Sequence, residues 1–407
     1  MDECPLQGRA RSSADLWREI GAVWADVPVQ RAQDPFTGAP CVIVTGRDAI
    51  DHVARHPQLF SSAARSAMPE EYGDSALHIL RRQLINMDPP QHKAHRAILA
   101  RHFSEQARQR YRPHIERYAQ LTVDALLGSQ RCEFVAQVAG VLPFLTILHI
   151  LGLPTDDHLA LAPLVQQALF GTPAGKARAA SELYLYALQQ LQRCRSGAAV
   201  PGSLMAAMLE AEADGKPLSD GDIVSLLVFV LIAGTSSTRA TIAHGMLLLI
   251  RHPAQWLRLQ AQPQLLPNAV EEMLRHAPAF TCMRRTAMAD TQLEGVAIGK
   301  GDKLLLCYRP AHFSAALFGP DAQAFDVARV PDAGNSHRAF GVGQHFCLGN
   351  AIARMELVAL FAALTRKLSA PRLLAAPQFS DSLHLDDIDV LHIAYRTNAH
   401  GGGRLDD

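Results

Sequence analysis

The 407-residue sequence has no surplus of charge of either sign: 39 basic and 39 acidic side chains leave a formal net charge of zero, with 18 histidines uncounted. It therefore offers no basic excess to hold nucleic acid. Charged residues make up only 19% and hydrophobic ones 48%, a balance that excludes a disordered chain. The seven cysteines include no Cys-x-x-Cys pair, which excludes a disulfide-rich secreted scaffold and a zinc ribbon. The first residues, Met1-Asp-Glu-Cys-Pro-Leu, lack a basic segment followed by an apolar run, so no signal peptide is expected. The longest apolar stretch, Ile223 to Ala233 interrupted by Ser225, falls short of the ~18–20 residues a membrane span needs, and no membrane insertion is expected. No long Gly/Ser/Pro linker and no internal repeat interrupts the chain, so residues 1–407 read as a single domain of a cytoplasmic protein.

What the sequence does have is helical spacing. A short β signal at Cys41-Val-Ile-Val-Thr precedes a helix over Arg47–Arg55, and apolar residues from about Gln91 to Ala213 recur mostly three and four apart, as in Phe144, Leu145, Leu148 and Leu151. The clearest helix starts behind Ser219, where Ser-Asp-Gly-Asp fits a capping box, and runs to about Ile250 before Pro253. At 1.5 Å per residue it would be roughly 45 Å long. A helix so long and apolar must be buried along most of its length. Another helix ends near Ala277, short strands follow at Thr291–Ile298 and Lys303–Cys307, a helix runs from about Leu348 to Leu368, and Leu383–Tyr395 reads as a hairpin around Asp386-Asp387.

The most informative segment is Phe340-Gly-Val-Gly-Gln-His-Phe-Cys-Leu-Gly349. As a dinucleotide loop it fails, because the third glycine would fall at Phe346 and no βαβ unit precedes it. As a zinc site it fails too, since His345 and Cys347 do not supply four ligands. It does place a cysteine at the start of a helix, where unpaired N–H groups and the helix dipole stabilise a thiolate. Gly341 and Gly343 let the backbone fold beneath a flat partner, and Gly349 lets that partner lie near the helix. A thiolate held against a planar surface suits axial ligation of haem iron. The bland alternative is a small, inert, buried thiol.

The segment resembles the signature of the cytochromes P-450, Phe-Gly-x-Gly-x-His-x-Cys-x-Gly, at all six fixed positions. The resemblance runs from about Pro40 to Ala370 and implies a mainly α fold with small β-sheets, holding haem b between a long central helix and the cysteine-loop helix. By that resemblance Cys347 ligates the iron, Phe340 packs beneath the haem and His345 reaches a propionate. Glu272-Met-Leu-Arg275 resembles the family's Glu-x-x-Arg, with Arg329 as its third member, a structural triad behind the loop. His92 and Arg96, four apart on one helical face, Arg285, and His337 match the remaining propionate positions, while His95 and Arg284 are adjacent residues without that role.

On the dioxygen side the sequence departs from the family. The long helix carries Ala233-Gly-Thr-Ser-Ser-Thr238 where the family has Ala-Gly-x-Asp/Glu-Thr, so Ser236 stands in the acidic place and Ser237 in the threonine place. Leu226, Val230, Ala233 and Ser237 recur at helical spacing and are expected to face the haem, with Gly234 leaving room for a ligand on iron. A hydroxyl relayed by a carboxylate delivers protons well; Ser237 keeps the hydroxyl and nothing in the run keeps the carboxylate. Ala311-His-Phe-Ser also departs from the family's Ala-Asn-Arg-Asp.

The resemblance implies a monooxygenase that inserts one oxygen atom from dioxygen into a lipophilic molecule, hydroxylation first, with electrons from a separate ferredoxin and ferredoxin reductase. Non-hydroxylating or peroxide-dependent oxidation, and a haem-thiolate sensor without turnover, are the alternatives. Arg101, Arg108, Arg110, Arg112 and Arg354 are expected on the cysteine side, where an acidic partner could dock. Ser61–Leu84, Leu161–Gly175 and Pro278–Cys282 are expected to line the substrate pocket, with Phe170 and Phe280 as walls.

Overall fold

The computed structural model describes residues 27–34, 37–213, 215–330, 337–382 and 384–398. Two strands from distant parts of the chain, Pro40–Val44 and Lys303–Cys307, lie parallel with Leu304 opposite Val42. Both are unbroken apolar runs because both faces are covered: Val42, Val44, Leu304 and Leu306 pack into one buried cluster and Cys41, Ile43, Leu305 and Cys307 into another. Val29–Gln33 adds antiparallel to one side, and Cys282–Ala287 and then Phe60–Ser61 to the other.

The rest is mainly helical. After helices Gln91–Ala100 and Glu105–Asp124, the helices Val141–Leu151, His158–Phe170 and Pro173–Arg193 pack on the long helix Asp220–Arg251. That helix starts as its sequence predicts: the Ser219 hydroxyl accepts from the Asp222 N–H at 3.2 Å. Its first half packs in one apolar cluster and its second half in another, which it shares with the helix Asn350–Lys367. Contrary to the expectation from its apolar run, an 18-residue window with mean hydropathy 1.7 makes it long and apolar enough to cross a membrane. The apolar side chains are accounted for by the fold, since 72% of that window is buried inside it. At Gly245 an added Cβ would stand 2.7 Å from Met273 Sδ and 2.9 Å from Phe361 Cζ, so the missing side chain sets how closely three helices approach.

Two β assignments change. Thr291–Ile298 is a hairpin of Thr291–Leu293 and Val296–Ile298, because Glu294 and Gly295 take φ values of 47° and 79°, the doubly left-handed turn that tight hairpins favour. In the tail, Asp386 and Asp387 lie in the connection between Gln378–Phe379 and Ile388–Val390, which pair with each other. The final strand, His392–Thr397, leaves that hairpin and pairs with Leu368–Leu373 and Arg131–Glu133 instead. Ion pairs hold the tail to the long helix: Arg239 with Asp387, and His244 with Asp386 at 3.2 Å.

Candidate cofactor and oxygen site

The cysteine loop ends where the helix Asn350–Lys367 begins, with Gly349 at the helix N-cap. The Cys347 N–H donates to the Phe340 carbonyl at 3.0 Å, closing the loop on itself. Burial pushes the Cys347 thiol up, while the N–H groups of Gly349 and Asn350 and the guanidinium groups of Arg96 and Arg354 pull toward the thiolate. Gly341 and Gly343 have φ values of 67° and 73°. An added Cβ on Gly343 would stand 2.5 Å from the Ala54 carbonyl oxygen, so that glycine seats the loop on the helix Arg47–Arg55. On Gly349 a Cβ would meet the Cys347 sulfur at an ordinary 3.9 Å. The Arg354 guanidinium lies 4.5 Å from the Phe340 ring centroid, bracing it from the helix side.

Behind the loop stands the triad. Arg275 grips Glu272 with two hydrogen bonds of 2.7 and 2.8 Å, and Arg329 adds a third contact at 3.3 Å. Burial works against the Glu272 carboxylate, but Arg275 and His276 outweigh it and bring its pKa down to about 2. Arg275 also donates to the carbonyls of His312 and Ala322, each at 2.7 Å. His312, inside the run that departs from the family pattern, returns a bond from its Nδ1 to the Arg275 carbonyl at 2.9 Å. That departure therefore belongs to the triad's setting.

Four of the five residues matched to propionate positions meet on one side of the loop. The His92 and His345 rings lie 4.2 Å apart, centroid to centroid. Burial, reinforced by Arg96 and Arg285, brings His92 down to about 4; burial, Arg285, His92 and Arg96 bring His345 down to about 2. Arg285 is itself buried, which lowers its own pKa. His92 Nε2 is buried without a hydrogen-bond partner, and the nearby Asp88 is already taken by Ser61 and the Ser62 N–H. So concentrated a set of donors, with so little opposing charge, fits a ligand bearing carboxylates, as the two propionates of haem do.

His337 does not join them. Its Nε2 faces Glu271 at 3.2 Å, and Glu271 also binds Arg354. The spacing of His337 from Phe340 suggested a propionate contact, but the structure commits its ring to a carboxylate of the protein. His95 bonds the Gln91 carbonyl of its own helix and Arg284 bonds Glu71, so neither enters the cradle. Ser62, whose hydroxyl lies 3.4 Å from His345 Nε2, was not legible in the sequence, because a lone serine far along the chain carries no spacing signal.

On the long helix, Leu226 and Val230 are buried in an apolar cluster, so the expected face is shorter than its spacing suggested. The partly open run is Phe229, Ile232, Ala233, Gly234 and Ser237. Gly234 does not leave an empty dent: an added Cβ would stand 2.8 Å from Ile147 Cδ1, so the glycine admits the neighbouring helix Val141–Leu151. Ser237 donates to the Ala233 carbonyl at 3.0 Å and Ser236 to the Ile232 carbonyl at 2.8 Å, leaving both hydroxyl oxygens as acceptors. Among the described residues no hydrogen bond joins either serine to a carboxylate. One turn beyond Ser237, Ala240 forms a buried cluster with Ala279 and Leu385, against which Leu169, Phe170 and Phe280 pack. The tail residues Leu385 and His384, whose ring stacks on Phe280, were not anticipated.

A cysteine at a helix start, facing a cradle of bases beneath a long helix, defines a haem-thiolate protein. The family profile cytochrome P-450 matches residues 180–371. The chain is 33% identical over 390 residues to a steroid C26-monooxygenase of Mycobacterium tuberculosis, covering 92% of each. It is 30% identical over 341 residues to linalool 8-monooxygenase of Pseudomonas putida, covering 80% of this chain and 82% of that one. A Mycobacterium marinum cytochrome P-450 solved with pseudoionone superposes with a TM-score of 0.83 at 27% identity, over 96% of both chains. The chain belongs to the cytochrome P-450 family. It is a haem-thiolate monooxygenase whose cofactor is haem b with an axial cysteine thiolate.

Proposed function

We propose that this monooxygenase hydroxylates a lipophilic small molecule, acting as one cytoplasmic domain supplied with electrons by a separate ferredoxin and its reductase. The observation that carries the substrate class is the apolar cluster of Leu169, Phe170, Phe280 and Leu385 set against Ala240 of the long helix. The relatives named for steroid and linalool oxidation, and the structures of other members holding pseudoionone and testosterone, support the same class.

In this reading Cys347 is the iron's axial ligand, and His92, Arg96, Arg285 and His345 hold the propionates. His337, held by Glu271, is left out of that set. The haem supplies activation of dioxygen, and the thiolate favours O–O cleavage. The protein's own contributions are separate. Phe340, braced by Arg354, would pack against the haem. The apolar walls exclude water and hold the reacting C–H in place. Ser237, its proton engaged by the Ala233 carbonyl, offers an oxygen that accepts a hydrogen bond from water and orients it.

Arg108, Arg112 and Arg354 have acidic partners in Glu105, Glu116 and Glu271, so the ferredoxin would meet Arg101 and Arg110 as the exposed remainder of the expected patch. The missing carboxylate beside Ser236 and Ser237 favours one second reading, in which hydrogen peroxide serves as oxidant and itself brings the protons.

The test is a panel of steroids, terpenoids and fatty acids screened for substrate-induced spin shifts, followed by product analysis. Spin shifts with lipophiles, and a product one oxygen heavier that requires ferredoxin, reductase and NAD(P)H, are expected. Product formed from peroxide alone, with none from the electron-transfer system, would overturn the reading.

A further inference from the structure

We infer that a cleft beside the C-terminal end of the helix Val141–Leu151 is a second ligand site, suited to a small organic phosphate of mononucleotide size. None of its lining residues belongs to the cysteine loop, the propionate cradle or the apolar substrate walls, so the site stands or falls apart from the monooxygenase reading.

The cleft measures about 540 Å³ and lies where the last turns of Val141–Leu151 and Pro173–Arg193 meet the first half of Glu105–Asp124. Two glycines shape it. Gly152 ends its helix at a φ of 76°, and an added Cβ there would stand 2.5 Å from Ser203 Cβ, so the segment 198–203 closes tightly on that end. Gly202, also at 76°, would bring a Cβ 3.8 Å from a guanidinium nitrogen of Arg110.

The charge around the cleft is of one sign. Arg110, His114, His149 and Arg193 line it, and no carboxylate does. Arg108 and Arg112, on either side of Arg110 along its helix, pair with Glu105 and Glu116. Arg193 donates to the neutral Gln190 side chain at 3.1 Å, and among the described residues neither it nor Arg110 has an ion pair. The His114 and His149 rings lie 4.0 Å apart, and among the described residues neither has a hydrogen bond. Burial, and then His114, holds His149 below its ordinary range.

A simpler account is that His149 and Arg193 serve the ends of their own helices. Each helix end carries about half a negative charge, so the two offset about one cation and leave Arg110 and a histidine unanswered. A phosphate dianion supplies that charge and matches the guanidinium fork. The cleft has room for more than a phosphate, and Ile150, Leu153, Pro154 and Val200 offer apolar surface to an attached ring.

The test is calorimetry on the haem-loaded protein in phosphate-free buffer at pH 7.5, with AMP, inorganic phosphate and adenosine as probes. AMP should bind at one site, inorganic phosphate about tenfold more weakly, and adenosine not detectably. Arg193→Gln and His149→Gln should each weaken AMP about tenfold, with the reduced carbonyl spectrum unchanged. The titratable groups facing the anion are Tyr111 and His114 from one helix, His149 from the second and Cys194 from the third. Binding should therefore take up protons on the histidines, read as a heat that depends on the buffer, and His149→Gln should take up fewer. Absence of AMP binding, affinity unchanged in both variants, or adenosine bound as well as AMP overturns the inference. Inorganic phosphate bound as tightly as AMP also overturns it, leaving an adventitious ion only.

Discussion

Glu272 shows what a single buried charge can carry here. Its carboxylate is 2% exposed and is held by Arg275, His276 and Arg329, so removing it leaves Arg275 charged and buried without its counter-ion. Glu272→Gln should cost about 3–5 kcal/mol of stability in chemical denaturation, with haem lost before the helices melt. The pH dependence has a definite sign. The folded-state pKa lies below the unfolded one, so this stabilisation is present above about 4.5 and is lost as pH falls toward about 2. The variant and wild type should therefore converge in stability in strong acid. Both partners were legible at the residue scale through the resemblance of Glu272-Met-Leu-Arg275 to the family's Glu-x-x-Arg, in its place between the long helix and the cysteine loop. Ser62 and Ile147 were not: each acts through a contact between distant segments that no local spacing encodes.

At the scale of elements, start signals were the most readable feature. Ser219 with Asp222 marked the long helix to within a residue, and the apolar run Cys41-Val-Ile-Val marked a strand covered on both faces. Errors arose where a turn hides in an apparently continuous pattern. Glu294-Gly295 folds one expected strand into two, and the tail hairpin is displaced because His392–Thr397 finds better partners in Leu368–Leu373 and Arg131–Glu133. Gly234 was read as room for a ligand, whereas it admits Ile147; further along the same helix Gly245 admits Met273 and Phe361. Gly245→Leu should consequently overpack the junction of three helices and cost about 1–3 kcal/mol or more, measured as a drop in thermal midpoint. If Gly245→Leu is as stable as wild type, close helix approach is not what that glycine provides.

For the whole molecule, the ordered run of motifs revealed the architecture before any contact was known. A capped long helix, a Glu-x-x-Arg helix, a basic strand residue and a cysteine loop follow one another in the order that the resemblance to the cytochromes P-450 implies. The return of the tail onto the long helix, through Arg239–Asp387 and His244–Asp386, was invisible in the sequence. Those residues lie more than 140 positions apart and pair only because the tertiary fold brings them together. The same tail brings Leu385 into a cluster with Phe170 and Phe280 and stacks His384 on the Phe280 ring, contacts that nothing in the linear sequence signals.

All of this depends on one sulfur at the foot of the helix Asn350–Lys367. The most direct measurement is the absorption spectrum of the reduced protein under carbon monoxide, for wild type and for Cys347→Ala. The wild type should show the red-shifted Soret band of a thiolate-ligated carbonyl complex, and Cys347→Ala should lose it. An unchanged band in Cys347→Ala, or its absence from haem-loaded wild type, would contradict the assignment.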